Sequence, residues 1–190
     1  DPETRVAVLR GRVLDKSDNP LSGVTVTVNN HAEYGQTVTR TNGQYDLVVN
    51  GGSWVSLNFT KKDYLPVQRT EQVPWQDYVN LDDVVMIGAD TNVMVCTMPS
   101  PEAQAVYGST ITDEDGTRRA VVIIPANTRA YIYPYSGGTQ EVSTLTTHMT
   151  EYTVGSNGLA TMPGELPDTV GYTYCLSLGA EETQAKIAGK

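Results

Sequence analysis

The amino-acid sequence predicts an all-β protein built as two β-sandwich-like modules. Three observations predict it. Short runs rich in Thr, Val and Tyr alternate apolar with polar residues, Gly, Pro, Asn and Asp punctuate them, and helical composition is confined to the final AEETQAKIA. At 190 residues the chain suffices for one large or two small domains. Folding on this scale removes about 70% of the extended-chain surface from water, so a core forms without covalent staples.

The first module is assigned to residues 1–88. It opens with RVAVLRGRVL, turns through DKSDNPLSG, and continues as VTVTV, where the valines at 24, 26 and 28 point to one face and the threonines to the other. The stretch YGQTVTRTNGQYDLVVNGG then reads as a hairpin, with Gln36 to Arg40 and Gln44 to Val49 as strands and Asn42-Gly43 both at positive φ in the turn. SWVSLNFT and VQRTEQV complete the set. Pro66 and Pro74 cannot donate to a ladder and mark an edge or a crossing loop. Residues 89–101 lose the alternation and end in two prolines, which makes them the expected junction. Residues 102–190 form the second module: Gly108 to Thr112, a turn at Asp115-Gly116, RRAVVIIP, RAYIYPY, VSTLTTHMTEYTV and YTYCLSLGA, all with strand character.

A net charge of −9 with 13 Lys and Arg argues against nucleic acid or anionic lipid as partner, because both need clustered cations. No run approaches the roughly 18 apolar residues of a membrane helix, and DPETRVAVLRG lacks signal-peptide blocks, so a soluble piece without membrane insertion is expected. Cys96 and Cys175 fall outside any CxxC and read as free thiols, or as a bridge if their Cα atoms approach. Asn58-Phe59-Thr60 is a lone glycosylation sequon.

Few residues suit chemistry. His31 and His148 are the only histidines, with Glu33 and Glu151 as their nearest acids in sequence, and each is accounted for as a loop or strand-face residue. Four Cys and His scattered from 31 to 175 do not make a zinc site. Asp113-Glu114-Asp115-Gly116 begins like a calcium loop but lacks the later bidentate acid, and the oxygen-rich tip of Asp15, Asp18 and Asn19 reads the same way. No G-x-S-x-G elbow or glycine-rich phosphate loop is present. The expectation is no catalytic residue, no metal and no cofactor. The candidates that remain are contact residues. Tyr131, Tyr133 and Tyr135 share one face at period two, as do Tyr172 and Tyr174, and such a face either packs against a neighbouring layer or forms an interface. Trp75, in VPWQDY, follows a proline that interrupts pairing. It is expected to pack, with truncation to Ala costing about 3 kcal/mol, or else to serve as an exposed anchor.

Gly11-Arg12-Val13, Pro20 to Val26 (PLSGVTV) and Thr41 to Leu47 (TNGQYDL) resemble the carboxypeptidase regulatory-like, or transthyretin-like, β-sandwich. Tyr34 to Arg40, Asn50-Gly51-Gly52 and Val73-Pro74-Trp75 are similar to the transthyretin-like segment of teneurins and bacterial RHS/YD-repeat proteins. In the second module, Glu151 to Gly155, Met162 to Pro167 and Gly171 to Cys175 resemble a segment that precedes the YD repeats. The resemblance implies a non-catalytic pair of modules in a large secreted or surface protein, bracing or plugging a shell of YD repeats contributed by the same polypeptide. The repeats themselves are absent from the sequence. The alternative is an adhesin stalk or carbohydrate-binding module.

Overall fold

The computed structural model describes residues 4–134, 137–154, 157, 160–165 and 174–182. The chain divides into two compact units, residues 1–88 with 152–175, and residues 89–151 with 176–190.

The first unit is a sandwich of two four-stranded sheets. Strand β1 (Val6–Asp15) is central to one sheet. It pairs antiparallel with β4 (Gln44–Asn50) on one side. On the other it pairs parallel first with β7 (Tyr78–Asn80) and then with β8 (Val84–Met86). The second sheet has the order β3 (Gln36–Val38), β2 (Thr25–Val28), β5 (Ser53–Thr60), β6 (Val67–Val73) and is antiparallel throughout. Val24, Val26 and Val28 are buried while Thr25 and Thr27 are half-exposed, as the alternation requires. They meet Leu9, Val13, Tyr45, Leu47, Leu57 and Phe59 from both sheets in one core.

Gly11 and Tyr45 are cross-strand partners in β1 and β4, and the glycine leaves room for the ring. A Cβ on Gly11 would lie 2.8 Å from the Tyr45 hydroxyl oxygen. The ring therefore lies over β1 and meets Phe59 of the opposite sheet edge-on at 5.5 Å between centroids. The hydroxyl reaches the interior without a hydrogen-bond partner among the described residues. Burial, reinforced by the charge of Glu71 and opposed by Arg69, pushes its pKa well above the ordinary phenol value.

The expected hairpin does not form. β3 pairs with β2 and β4 with β1, so the two strands belong to different sheets and the turn between them carries the chain from one layer to the other. The Gly43 amide donates to the Arg40 carbonyl, and only Gly43 of the Asn42-Gly43 pair takes positive φ, at 76°. Its role is also steric, because a Cβ there would sit 2.5 Å from the Val13 carbonyl oxygen.

The second unit contains a three-stranded antiparallel sheet in the order β17 (Leu176–Ala180), β16 (Thr144–Glu151), β9 (Val93–Thr97). Three two-stranded ribbons accompany it: β10 (Gln104–Tyr107) with β13 (Val121–Ile124), β11 (Ile111–Asp113) with β12 (Gly116–Arg118), and β14 (Ala130–Ile132) with β15 (Gln140–Val142). Cys96, Met98, Val106 and Met149 are its core, joined by Met94, Val122, Ile124 and Leu145. This is a smaller and more divided core than that of the first unit.

The division differs from the sequence-based one in two places. Residues 89–101 hold β9, which pairs along β16 and supplies buried Cys96, so they are not a junction. Residues 152–175 group with the first unit instead of continuing a module that starts at 102. Arg69 explains part of this: its guanidinium donates to the carbonyls of Met162 at 2.9 Å and Ala160 at 2.6 Å, while the Gln68 amide donates to the Pro163 carbonyl at 2.8 Å. Of AEETQAKIA, Ala180 ends β17, Glu181 and Glu182 are helical, and the rest lies outside the described residues.

Gly43→Val is expected to destabilise the first unit by at least about 1 kcal/mol, through positive φ and the clash with Val13, seen as a lowered denaturant midpoint. Tyr45→Phe should leave stability unchanged or raise it by up to about 1 kcal/mol, because it removes a buried hydroxyl that has lost its water without gaining a partner. A lower melting temperature for Tyr45→Phe would show that the hydroxyl is hydrogen-bonded.

Candidate interaction surfaces

Trp75 and the glycine pair before β5 form one feature. The Gly51 amide donates to the Arg5 carbonyl and the Gly52 amide to the Val73 carbonyl, each at 2.6 Å. A Cβ on Gly51 would collide with the Pro74 carbonyl, and one on Gly52 with the indole. The two glycines are thus a flat bed on which Pro74 and Trp75 lie, so Asn50-Gly51-Gly52 and Val73-Pro74-Trp75 are spatial neighbours. The Arg5 guanidinium stands 5.9 Å from the ring centroid. The indole remains 58% exposed, which corrects the expectation that it is packed. Backbone supports only one of its faces.

The outer face of the β4-β1-β7 sheet is a second feature. Val48, Val8 and Tyr78 lie side by side across the three strands, and Asp46, Arg10 and Asn80 form the next row. Arg10 sits 4.7 Å from the centroid of the Tyr78 ring and 3.1 Å from Asp46, which also bonds Arg40. Arg40 above all, opposed by slight burial and helped by Arg10, holds the Asp46 carboxyl below the ordinary carboxylate range. Arg12 grips Asp83 through Nε and a terminal nitrogen. Arg10, Arg12, Arg40, Asp46, Asn80 and Asp83 border a cleft of about 420 Å3.

In the second unit Tyr131 is 47% and Tyr133 80% exposed, while Ile132 between them is buried. The sequence weighed packing against an interface for this face, and the structure leaves both tyrosines open to solvent. Tyr135 and Tyr172 lie outside the described residues; Tyr174 is exposed. An apolar groove of about 450 Å3 opens nearby, lined by Val106, Val122, Ile124, Leu145 and Leu178 among others.

The polar candidates are engaged in structure. The His31 ring pairs with Glu33 at 2.7 Å and stacks on Tyr34 in an exposed loop. His148 is buried on β16 with its ring over Gly179, where a Cβ would collide with it. Glu151, its nearest acid in sequence, instead binds Arg118 at 2.7 Å, and Arg118 also makes two bonds to Asp113 at 2.6 and 2.7 Å. That ion triad is mostly buried and could not be read from sequence, because its members lie on three strands. The acidic tip is a hairpin in which Asp113 pairs with Gly116, so Glu114-Asp115 is the turn, not Asp115-Gly116. Asp90 accepts from the Asn92 amide at 2.9 Å and from the Ser109 hydroxyl and amide at 2.9 and 3.0 Å. Burial pushes its carboxyl up, but these bonds and the field of His148 together hold it below the ordinary range. Cys96 is buried, Cys175 half-buried, and both are free thiols.

By its topology the first unit is a paired-sheet β-sandwich. Residues 2–86 match the family model described as Teneurin TTR-like domain. The chain is 36% identical over 100 residues to Teneurin-3 of Mus musculus, covering 50% of this chain and 4% of that protein. It is 45% identical over 84 residues to Teneurin-m of Drosophila melanogaster, covering 44% and 3%. Among solved structures, the Bacillus anthracis TIE protein aligns with a TM-score of 0.39 at 15% identity, over 73% of this chain and 31% of that one. Residues 2–86 are thus similar to the transthyretin-like domain of teneurins, and the chain spans only a few per cent of the length of the teneurins it matches.

Trp75→Ala is expected to lower stability by about 1 kcal/mol, less than the 3 kcal/mol or more of a buried aromatic, because more than half of the indole is already in water. For Asp90 the folded carboxyl titrates below the unfolded one. Its stabilising effect is complete above the ordinary carboxylate range and is lost as pH falls through the depressed value. The melting temperature of the second unit should therefore drop over that acid limb, and Asp90→Asn should flatten the drop.

Proposed function

We propose that this chain is a non-catalytic structural pair of modules in a large teneurin-like protein of the RHS/YD-repeat kind, secreted or displayed at a cell surface. There it braces or plugs the repeat shell formed by the same polypeptide. The observation that carries the reading is the match of residues 2–86 to the teneurin transthyretin-like domain. The apolar groove of the second unit supports it, since a module inserted into a larger assembly presents surface of this kind.

The test is a longer form of the parent protein, with and without these 190 residues. With them, the following repeats should resist limited proteolysis and melt cooperatively; a repeat region equally resistant in both forms would sink the proposal. The second reading is an adhesin stalk or carbohydrate-binding module at a bacterial surface, and the exposure of Tyr131 and Tyr133 favours it, because open tyrosine rings stack on sugars. Glycan-array binding lost on Tyr133→Ala would establish that reading in place of the first.

A further inference from the structure

We propose that the cleft on the outer face of the β4-β1-β7 sheet is a docking site for an acidic, partly apolar peptide segment, whose carboxylates are received by Arg10, Arg12 and Arg40. The proposal is independent of the shell reading, because it concerns what this face binds and not what the chain is embedded in.

Charge is the first observation. The chain carries −9 overall, yet this cleft gathers three guanidiniums against two carboxylates, Asp46 and Asp83. Asp46 is shared by Arg10 and Arg40, so neither has a carboxylate of its own. A positive concavity on a negative protein focuses attraction on anions and offers nothing to cations. All three arginine side chains are about half exposed and can turn planar donors toward an incoming group.

Residue type on the outward face is the second. A solvated outer sheet face carries polar residues, but here Val6, Val48 and Tyr78 are all exposed. Val8 completes the row between Val48 and Tyr78. Tyr and Arg are among the residues on which binding energy concentrates, and Arg10 over Tyr78 couples ring to cation on this face.

Chain geometry is the third. β7 leaves β1 after Asn80 and β8 joins it only at Val84, so residues 81–83 detour around Gly11 and Arg12. Arg12 spans that gap to Asp83, and the cleft lies along it. A carboxylate-bearing peptide suits it better than free phosphate, because exposed Val48 and Tyr78 beside Arg10 offer apolar contact that phosphate cannot use.

The full chain would be titrated into a fluorescein-labelled short peptide of alternating Glu and Leu, with a Gln-Leu peptide and inorganic phosphate as comparisons, and binding read by fluorescence anisotropy. The Glu-Leu peptide should bind in a salt-sensitive manner and the Gln-Leu peptide about tenfold more weakly. Arg10→Gln with Arg40→Gln should lower affinity about tenfold or more with the thermal midpoint retained. Tyr78→Ser, which alters only an exposed ring, is the second variant should the arginine pair unfold, and it should weaken binding several-fold. No salt-sensitive binding of the Glu-Leu peptide, affinity unaltered in a folded variant, or displacement by equimolar phosphate would each overturn the proposal.

Discussion

The first unit depends on the placement of the Tyr45 ring over Gly11. A sheet with a glycine in its central strand would leave a gap in the core; here the gap is filled from the partner strand, and the ring then carries contact across to Phe59 of the other sheet. Two sequence signatures that lie more than thirty positions apart, Gly-Arg-Val and Asn-Gly-Gln-Tyr, are therefore two halves of one contact. Gly43 belongs to the same arrangement. It closes the turn that delivers Tyr45, and its amide and carbonyl bond to Arg40 and Val13. Packing density tolerates no larger residue at either glycine.

This explains what the sequence made legible. Strand identity follows from local composition, and the Val24, Val26, Val28 alternation named its buried face correctly. Strand partnership does not follow from it. Gln36–Val38 and Gln44–Asn50 look like a hairpin because a turn joins them, but burial drives them into opposite layers, and only the β1 register reveals this. Residues 152–175 failed for a related reason. The bonds from Gln68 and Arg69 to the carbonyls of residues 160–163 link positions some ninety residues apart, and no periodicity encodes a bond from a guanidinium to a backbone carbonyl. Trp75 failed differently. Pro74 does stop pairing, but the glycines beneath the indole give it a seat without enclosing it.

The interaction surfaces were the least legible feature. The tyrosines at 131 and 133 were visible as a stripe, yet a stripe on a strand says only that the residues share a face. The arginine cleft was invisible, since Arg10, Arg12 and Arg40 are unremarkable charges until β1 pairs with β4 and the detour at residues 81–83 brings Asp83 beside them.

The second unit is held together largely by polar side chains. Arg118 is divided between Asp113 and Glu151, Asp90 is saturated by donors from Asn92 and Ser109, and the ring of His148 is laid against Gly179. Each of these groups fixes one strand or loop to another in a unit whose apolar core is small. Breaking a buried pair in such a setting leaves an uncompensated charge, which destabilises more than the pair itself stabilises. Arg118, Asp90 and His148 thus help to join strands and loops in a unit whose apolar core is small.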